Sequence, residues 1–283
     1  MHLIQSVLMG IVQGLSEFLP ISSSAHLVFT SNFYKVFKGL EIAQESNQEI
    51  FLDIMLHLGT LVAVLIFFRK DIWAIIKALY LGLKEKKYDS PDFKTGIYIV
   101  IGTIVTMLIA YPLNEVAGGL VFRPAIVGLL LIFTGCLLLY SEYLAKKITD
   151  KKEVVLKNSI LMAIAQGLAA LPGFSRSGLT IATGLLTKKD RVTAAKYSFL
   201  LSIPIILGAS MVYPLIKIDI NEFVTYNWTA ISIGTIVSAI VGYLCVKYFL
   251  KFVGKYSLAF FGYYCIIVGV STFVFFKYFV NGV

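Results

Sequence analysis

The chain has 283 residues, of which 58% are hydrophobic and only 14% are charged. A typical soluble domain is about 45–50% apolar and about 25% charged, so this composition excludes an ordinary soluble globular protein. The formal net charge of +9 requires no nucleic-acid partner, because most of the basic residues lie in short connections that would face an anionic membrane leaflet.

The apolar sequence divides into eight segments. A membrane-spanning helix needs about 20 predominantly apolar residues, and six segments meet this requirement. They lie near 51–68, 95–113, 124–144, 197–216, 228–250 and 257–280. Two further segments, 3–30 and 158–187, are interrupted by proline, glycine and serine. We interpret both as re-entrant helix-loop-helix hairpins, because irregular backbone survives at membrane depth only where protein or a water-filled cavity satisfies it. The predicted fold is therefore an all-α polytopic membrane protein with six transmembrane helices plus two re-entrant hairpins.

The distribution of lysine and arginine predicts the orientation of the spans. Most of the 25 basic residues lie in four connections, which are 69–94, 145–157, 188–196 and 247–256. Short cytoplasmic loops carry such an excess, so these connections are placed inside and the connections 31–50, 114–123 and 217–227 outside. The six spans then alternate without conflict, and the two hairpins enter from opposite faces of the membrane.

An internal repeat agrees with this opposition. The run from Met9 to Leu15 matches the run from Met162 to Leu168, and each is followed by Leu-Pro and then by serines. Each copy continues with three spans, so the second copy is inverted relative to the first. The predicted repeats are 1–150 and 151–283, with the boundary near Asp150, within a single membrane domain. The alternative is that the short sequences Gln-Gly-Leu and Leu-Pro recur by chance in apolar sequence.

Polar residues are concentrated at the two breaks. A charged side chain at the centre of a bilayer costs roughly 2.5–3.5 kcal/mol on insertion scales, so Glu17 and Arg176 indicate a functional site. Inverted repeats with broken helices place such a site near the midplane, where the breaks meet. The side chains expected there are Glu17, Ser22, Ser23, Ser24, His26, Ser175, Arg176, Ser177 and Thr180.

These residue types together suit phosphoryl transfer. Arg176 offers a planar fork of donors that matches phosphate oxygens. The glycines around it and a resumed helix would aim backbone N–H groups at the same anion. Ser23 or a neighbouring serine can act as a nucleophile and His26 as a proton shuttle. Glu17 can be a base or a ligand of a divalent cation.

Each assignment has a structural alternative. Serine and threonine in membrane helices often hydrogen-bond only to the backbone or to a neighbouring helix. His26 can serve the same purpose, and for His57 that interpretation is the favoured one. Glu17 can pair with Arg176 as a structural salt bridge across the repeat interface. Asp53 can be interfacial, or it can approach the mouth of the site.

At the two breaks the chain resembles a known family. The segment from Gln13 to His26, QGLSEFLPISSSAH, and the segment from Pro172 to Gly178, PGFSRSG, with Thr180 just beyond, are both matched in order and separation. They are similar to the motifs of undecaprenyl pyrophosphate phosphatases of the bacitracin-resistance type, a bacterial integral-membrane family. Length and number of spans agree, so the resemblance covers the whole chain.

The resemblance implies hydrolysis of undecaprenyl diphosphate to the monophosphate, which recycles the lipid carrier for peptidoglycan and other envelope polymers. It also implies a multi-pass protein of the bacterial plasma membrane with an outward-facing site. Glu17, Ser23, His26 and Arg176 take the catalytic roles of acidic group, nucleophile, acid/base partner and diphosphate clamp. The substrate-binding residues would be Ser22, Ser24, Ser175, Arg176, Ser177, Gly178 and Thr180.

The family depends on a divalent cation, Mg²⁺ or Ca²⁺, for which Glu17 and Gln13 are the expected ligands. Gln13 stands where many members have a second glutamate, so a site with two carboxylates is in doubt. A carrier-lipid flippase is the alternative function, since paired hairpins in inverted repeats are transporter architecture. A type 2 phosphatidic acid phosphatase is excluded, because no histidine follows His57. The choice between Ser23 and His26 as nucleophile, the cation, the preferred prenyl length and the oligomeric state, including a homo-oligomer, stay open.

Overall fold

The computed structural model describes residues 3–37, 47–145, 153–217 and 225–280, and all of the regular secondary structure in these ranges is helical. In chain order the helices are α1 Leu3–Ser16, α2 Ser23–Phe37, α3 Asn47–Phe67, α4 Arg69–Glu85, α5 Pro91–Leu120, α6 Pro124–Ala145, α7 Leu156–Leu168, α8 Arg176–Leu186, α9 Arg191–Lys217, α10 Trp228–Val253 and α11 Ala259–Tyr278. Asp150, the predicted boundary between the repeats, lies outside the described residues.

The six predicted spans are confirmed as helices. Within the described ranges, α3, α5, α6, α9, α10 and α11 are long and apolar enough to cross a membrane. Helix α5 is longer than expected, since it begins at Pro91 and continues through Pro112 to Leu120. Its start is set by Ser90, whose side chain accepts a hydrogen bond from the Phe93 N–H. Proline at the first helical position lacks only an N–H that would have no partner there.

Helix α4 occupies a stretch that the sequence analysis treats as a basic connection. It is too short and too charged to span, but it combines lysines with exposed aromatic residues such as Trp73 and Tyr80. That composition is typical of a helix lying in the membrane interface. The helix ends at Lys86, which adopts a left-handed backbone conformation with φ of 56°.

Both predicted breaks are present. Helix α1 ends at Ser16 and α2 begins at Ser23, whereas α7 ends at Leu168 and α8 begins at Arg176. Each break contains one residue with positive φ, Ser22 at 70° and Gly173 at 102°. Helix bounds alone do not fix the side of the bilayer to which each pair returns, so the re-entrant course stays a prediction.

The first helix of each broken pair packs against a helix of the other half of the chain. Helix α1 packs most extensively against α10 of the second half, and α7 packs against α5 of the first half. The α1–α10 contact depends on small residues, because a Cβ added at Gly10 would lie 2.5 Å from the carbonyl oxygen of Gly234. Such close approach of backbones is typical of helix packing in membranes. This packing brings the two breaks together, while the inversion of the repeat stays a prediction.

Helices α6 and α11 form a second interface between the halves. A Cβ at Gly128 would lie 2.7 Å from the Gly269 carbonyl oxygen. At one end of α6, the buried Glu142 accepts hydrogen bonds from Arg191 Nε at 2.7 Å and Arg191 Nη2 at 2.6 Å. It also accepts from the backbone N–H of Leu258 at 3.0 Å. This ion pair fixes α9 and the α10–α11 turn to α6.

Candidate active site

Glu17 lies in the turn that follows α1 and is 7% exposed. Its Oε1 accepts a hydrogen bond from Arg176 Nη2 at 2.6 Å. The two residues are 159 positions apart, so the contact joins the two breaks as the sequence predicts. A charge-assisted bond of this length is among the stronger protein hydrogen bonds.

The second carboxylate oxygen of Glu17 faces the first break. Its Oε2 accepts from Ser23 Oγ at 2.6 Å and from Gln13 Nε2 at 3.0 Å. His57 of α3 also approaches this oxygen, with its Nε2 at 3.7 Å. One buried carboxylate thus contacts a hydroxyl, an amide, an imidazole and a guanidinium.

The first break positions Ser23 through the conformation of Ser22. With φ of 70°, Ser22 turns the chain into α2, and its Oγ accepts from the Ala25 N–H at 3.3 Å. This bond caps the helix and satisfies one of the donors that a helix start leaves free. Ser24 Oγ lies 3.2 Å from Ser22 Oγ. Ser23 is consequently the first residue of α2, and its hydroxyl is turned toward Glu17.

The second break positions Arg176 in the same manner. Ser175 Oγ accepts from the Gly178 N–H at 3.0 Å and caps α8, so Arg176 is the first residue of that helix. At Gly173 a Cβ would lie 2.5 Å from the Val127 carbonyl oxygen, and φ is 102°. Only glycine fits such a position. Two helix N-termini, which attract anions, therefore meet at one carboxylate and its arginine partner.

The other hydroxyls of the second motif bond to protein groups. Ser177 Oγ donates to the Leu19 carbonyl oxygen at 2.9 Å. Thr180 Oγ1 donates to the Arg176 carbonyl oxygen at 2.7 Å and is bonded to Ser198 Oγ at 2.5 Å. These contacts hold α8 against the first break and against α9. The expected contact of these hydroxyls with substrate stays a prediction.

His26 is turned away from the carboxylate. Its Nδ1 lies 2.8 Å from the Ser22 carbonyl oxygen, and its Nε2 lies 2.8 Å from the Tyr264 hydroxyl. Its ring stacks on that of Tyr264 with the centroids 5.7 Å apart. A carbonyl oxygen only accepts, so Nδ1 carries a proton. The expected Ser23–His26 pair is not joined by a hydrogen bond, and the imidazole beside Glu17 belongs to His57.

His57 and Asp53 are the site neighbours to which sequence reasoning gave little weight. His57 Nδ1 lies 2.9 Å from the Asp53 carbonyl oxygen, and Asp53 interacts electrostatically with both His57 and Glu17. Their spacing of four residues on α3 places both on one helix face. The sequence shows that Asp53 and His57 share a helix face, but it does not show that this face of α3 is turned toward the first break.

Three buried polar atoms at the site have no hydrogen-bond partner in the described part of the chain. They are Arg176 Nη1, Gln13 Oε1 and Asp53 Oδ1. Buried polar atoms are nearly always paired, so such a group of exceptions points to a bound ligand. A cavity of about 100 Å³ adjoins the site and is lined in part by Ser24, Asp53 and Pro172.

The oxygens present fit a hard cation held by few protein ligands. Among the described residues no group of three or more His, Cys, Asp and Glu side chains is arranged to hold a metal ion. Mg²⁺, however, is usually bound through one or two carboxylates together with substrate phosphates. The Glu17 carboxylate and the unpartnered Gln13 Oε1 are donors of that type.

Comparison with known families agrees with the two motifs. The model of the family described as bacitracin resistance protein BacA matches residues 6–271 of the chain. The chain belongs to the BacA family. Within the described residues the six long apolar helices, together with this membership, identify a multi-pass membrane protein.

Relatives of this BacA protein match it over almost their whole length. A Methanobrevibacter smithii protein is 41% identical over 97% of this chain and 98% of its own. Proteins of Halothermothrix orenii and Korarchaeum cryptofilum are 37% and 34% identical over 97% and 96% of this chain, and over 98% of their own in both cases. All three relatives are named undecaprenyl-diphosphatase.

Proposed function

We propose that this protein hydrolyses undecaprenyl diphosphate to undecaprenyl phosphate and inorganic phosphate, and so recycles the lipid carrier for cell-wall synthesis. The observation that carries the proposal is the chain of contacts from Ser23 through the buried Glu17 to Arg176, with both bonds at 2.6 Å. In this arrangement Ser23 supplies the hydroxyl, Glu17 is the base beside it, and Arg176 orients that base. The names of the relatives support the same substrate.

The reaction follows from the contacts of Ser23. Its Oγ attacks the terminal phosphorus while Glu17 Oε2 accepts the hydroxyl proton. The bond from phosphorus to the bridging oxygen breaks, and its electron pair leaves with undecaprenyl phosphate, which takes the proton from Glu17. Glu17 then accepts a proton from water as the water oxygen attacks the phosphoserine. Ser23 Oγ leaves phosphorus and recovers that proton, which releases inorganic phosphate.

Arg176 and the helix N-termini stabilise the charge of the diphosphate. Arg176 Nη2 holds Glu17, whereas Nη1 is buried with no partner among the described residues and is free to donate to a phosphate oxygen. The N-termini of α2 and α8 add partial positive charge at the same place. Donors fixed before the reaction cost no reorganisation during it.

Glu17 and Gln13 would hold the divalent cation, Mg²⁺ or Ca²⁺. Its chemistry there is neutralisation of the charge on the diphosphate. The amide of Gln13 contributes an oxygen without a negative charge, so the protein supplies less charge to the cation than a pair of carboxylates would. Oxygens of the substrate would supply further ligands, as is usual for Mg²⁺ at phosphate sites.

The geometry supports Ser23 rather than His26 as the nucleophile. Ser23 Oγ already donates to a carboxylate, whereas both ring nitrogens of His26 are engaged by Ser22 and Tyr264. His26 would then help to position α2 and Tyr264 rather than attack phosphorus.

Phosphate release by the purified protein in detergent tests the enzyme against the flippase alternative. An enzyme releases phosphate from undecaprenyl diphosphate in micelles with Mg²⁺ or Ca²⁺ present. A lipid flippase without chemistry has neither a second leaflet nor a gradient there and releases none. The contact of Ser23 with Glu17 favours the enzyme, because a translocator needs the clamp but not an activated hydroxyl.

Replacing Arg176 by lysine is expected to lower this activity by at least about tenfold, or about 1.4 kcal/mol in barrier. Lysine keeps the charge but loses the fork that contacts Glu17 and phosphate together. The measurement is kcat/KM for phosphate release. The matched control is Arg123→Lys, since Arg123 is exposed and is not among the residues that line the cavity beside the site. Near-normal turnover of the Arg176 variant would remove the clamp from the mechanism.

The proposed location is the plasma membrane, with the active site open to its outer side. This orientation depends on the basic connections facing inward. With those connections inside, the two predicted hairpins enter the membrane from opposite faces. The outward opening suits a substrate that is released where envelope polymers are assembled.

Cysteine labelling tests the orientation. The native cysteines Cys136, Cys245 and Cys265 are first replaced by alanine. A cysteine at the exposed Lys84 is then expected to resist an impermeant thiol reagent in intact cells. A cysteine at Gly119 is expected to react, because a Cβ there would lie more than 4 Å from every neighbouring atom in the described ranges. Cysteines at Glu45 and Asn221, in the other two connections predicted to face outside, are expected to react as well, and both positions lie outside the described residues. Labelling at Lys84 without permeabilisation would invert the proposed orientation.

A further inference from the structure

Helix α4 is connected to the membrane-spanning helices at one face of the bilayer. Helix α3 ends at Phe67 and α4 begins at Arg69, so a single residue separates α4 from the end of a span. The next span, α5, begins at Pro91. Because α4 is itself too short and too charged to cross, both of its ends lie at the same membrane surface.

One face of α4 is packed on the protein. The Phe93 ring of α5 leaves no room for a side chain at Gly82, and a Cβ at Gly96 of α5 would lie 2.8 Å from Leu79 Cγ. Asp71 also accepts a hydrogen bond from Lys196 Nζ of α9. These contacts fix the rotation of α4 about its axis, and they determine which of its side chains point away from the protein.

The opposite face of α4 combines apolar and basic side chains. Four large apolar side chains are between 51% and 78% exposed, and they are Trp73, Ile76, Tyr80 and Leu83. Their spacings of three and four residues place them in one stripe. The exposed residues Lys70, Lys77 and Lys84 repeat every seven residues, so they lie in one row along an edge of the stripe. We call the stripe and the row together the α4 exposed face.

The acidic residues of α4 leave the charge of this row in place. Asp71 is bonded to Lys196, and Glu85 Oε2 lies 2.6 Å from Lys87 Nζ. Neither of these lysines belongs to the row. The row therefore presents three positive charges at intervals of about 10 Å along the helix, beside aromatic side chains.

We propose that the α4 exposed face binds anionic phospholipids, with the lysine row on the headgroup phosphates and the apolar stripe among the adjoining acyl chains. Lysine and aromatic side chains suit the boundary between headgroups and hydrocarbon. The position of α4 at the end of a span favours lipid over a protein partner, because the stripe already lies at that boundary. The inference does not depend on the proposed function, since α4 supplies none of the residues of the candidate active site.

The lysine row should make the binding selective for charge. Each basic residue near an anionic membrane surface contributes about a fivefold increase in affinity. The apolar stripe, in contrast, makes no distinction between headgroups. An anionic phospholipid should therefore be preferred at α4 over a zwitterionic one with the same acyl chains.

Fluorescence quenching of Trp73 tests the proposal. The chain has two tryptophans, so Trp228→Phe leaves Trp73 as the single fluorophore of this kind. The full-length variant is reconstituted into phosphatidylcholine vesicles that contain brominated phosphatidylglycerol or, in a parallel sample, brominated phosphatidylcholine. Bromine quenches at contact, so the two titrations give the relative affinity of the lipids for α4. Both lipids are expected to quench, and phosphatidylglycerol is expected to be preferred by at least about tenfold.

Removing the row tests its part in the preference. In the same background, Lys70→Gln with Lys77→Gln and Lys84→Gln is expected to abolish the preference and to leave quenching by brominated phosphatidylcholine unchanged. The matched control removes the same charge from other exposed lysines, by Lys157→Gln with Lys251→Gln and Lys255→Gln, and should keep the preference. Salt at about 1 M, where the Debye length is about 3 Å, should weaken the preference without any change to the lysines.

Several results would overturn the proposal. If neither brominated lipid quenches Trp73, the α4 exposed face contacts water or a protein instead of the bilayer. Equal quenching by the two lipids would show that the lysine row does not recognise the headgroup. A preference that survives in the α4 triple variant, or that is lost equally in the control triple variant, would assign it to the charge of the whole protein.

Discussion

Replacing Ser23 by alanine is expected to lower phosphate release by at least about 10³-fold, because loss of a nucleophile leaves only binding and electrostatic stabilisation. The measurement is kcat in detergent at saturating undecaprenyl diphosphate. Ser24→Ala is the comparison: Ser24 is a predicted substrate-binding residue next to Ser23, and its Oγ contacts Ser22 rather than Glu17, so kcat at saturating substrate should be largely retained.

The competing nucleophile is tested in the same assay. His26→Ala is expected to retain measurable activity, because both ring nitrogens of His26 contact protein groups rather than the reacting atoms. Trapping phosphate on the protein by rapid acid quench, followed by peptide mapping, would identify the residue that carries it. Phosphate on His26, or a dead His26 variant beside an active Ser23 variant, would reverse the assignment.

Replacing Glu17 by glutamine is expected to lower kcat by about 10²- to 10⁴-fold, since the variant cannot accept the Ser23 proton. The change also leaves the Arg176 guanidinium buried without its carboxylate, and breaking a buried pair commonly costs about 3–5 kcal/mol. Activity must therefore be measured per folded molecule, with thermal unfolding recorded on the same sample.

Glu142→Gln is the control for that loss of stability. The buried Glu142 pairs with the partly exposed Arg191 at similar distances, but its contacts include neither Ser23 nor Arg176. This variant is expected to unfold at a lower temperature and to keep its turnover per folded molecule. If Glu17→Gln behaves in the same way, Glu17 serves only as a structural ion pair.

The membrane architecture could be predicted because bilayer thickness imposes a length on every span. The six apolar segments and the two breaks at Pro20 and Pro172 were visible for that reason. Helix α4 was not, since an interfacial helix such as Arg69–Glu85 needs neither the length nor the uniform hydropathy of a span. The predicted span 95–113 stops short of Leu120, where α5 ends, because the apolar run alone does not show that a helix continues past Pro112; neighbouring helices in a membrane can satisfy the carbonyl that proline leaves free.

The site could be predicted in part. The meeting of Glu17 and Arg176 at the two breaks followed from charge, because each is expensive alone in an apolar segment; their direct ion pair was the structural alternative to functional roles. The choice between the two histidines could not be made, since it depends on how α2 and α3 are rotated about their axes. His26 turns to Tyr264 on α11 and His57 turns to Glu17. The structural bonds of Ser177 and Thr180 also depend on neighbours distant in sequence.

The separation of Glu17 from Arg176 constrains how the protein is assembled during synthesis. The two residues are 159 positions apart, and chains grow at about 5–20 residues per second. The carboxylate of Glu17 is therefore made roughly 8–30 s before the guanidinium that pairs with it. Its helix α1 also lacks α10, against which Gly10 packs, until still later. During this time the first half of the chain is an intermediate in the membrane, or at its surface, in which Glu17 and α1 lack their partners from the second half. Truncation after α6 should leave a product recognised by membrane quality control.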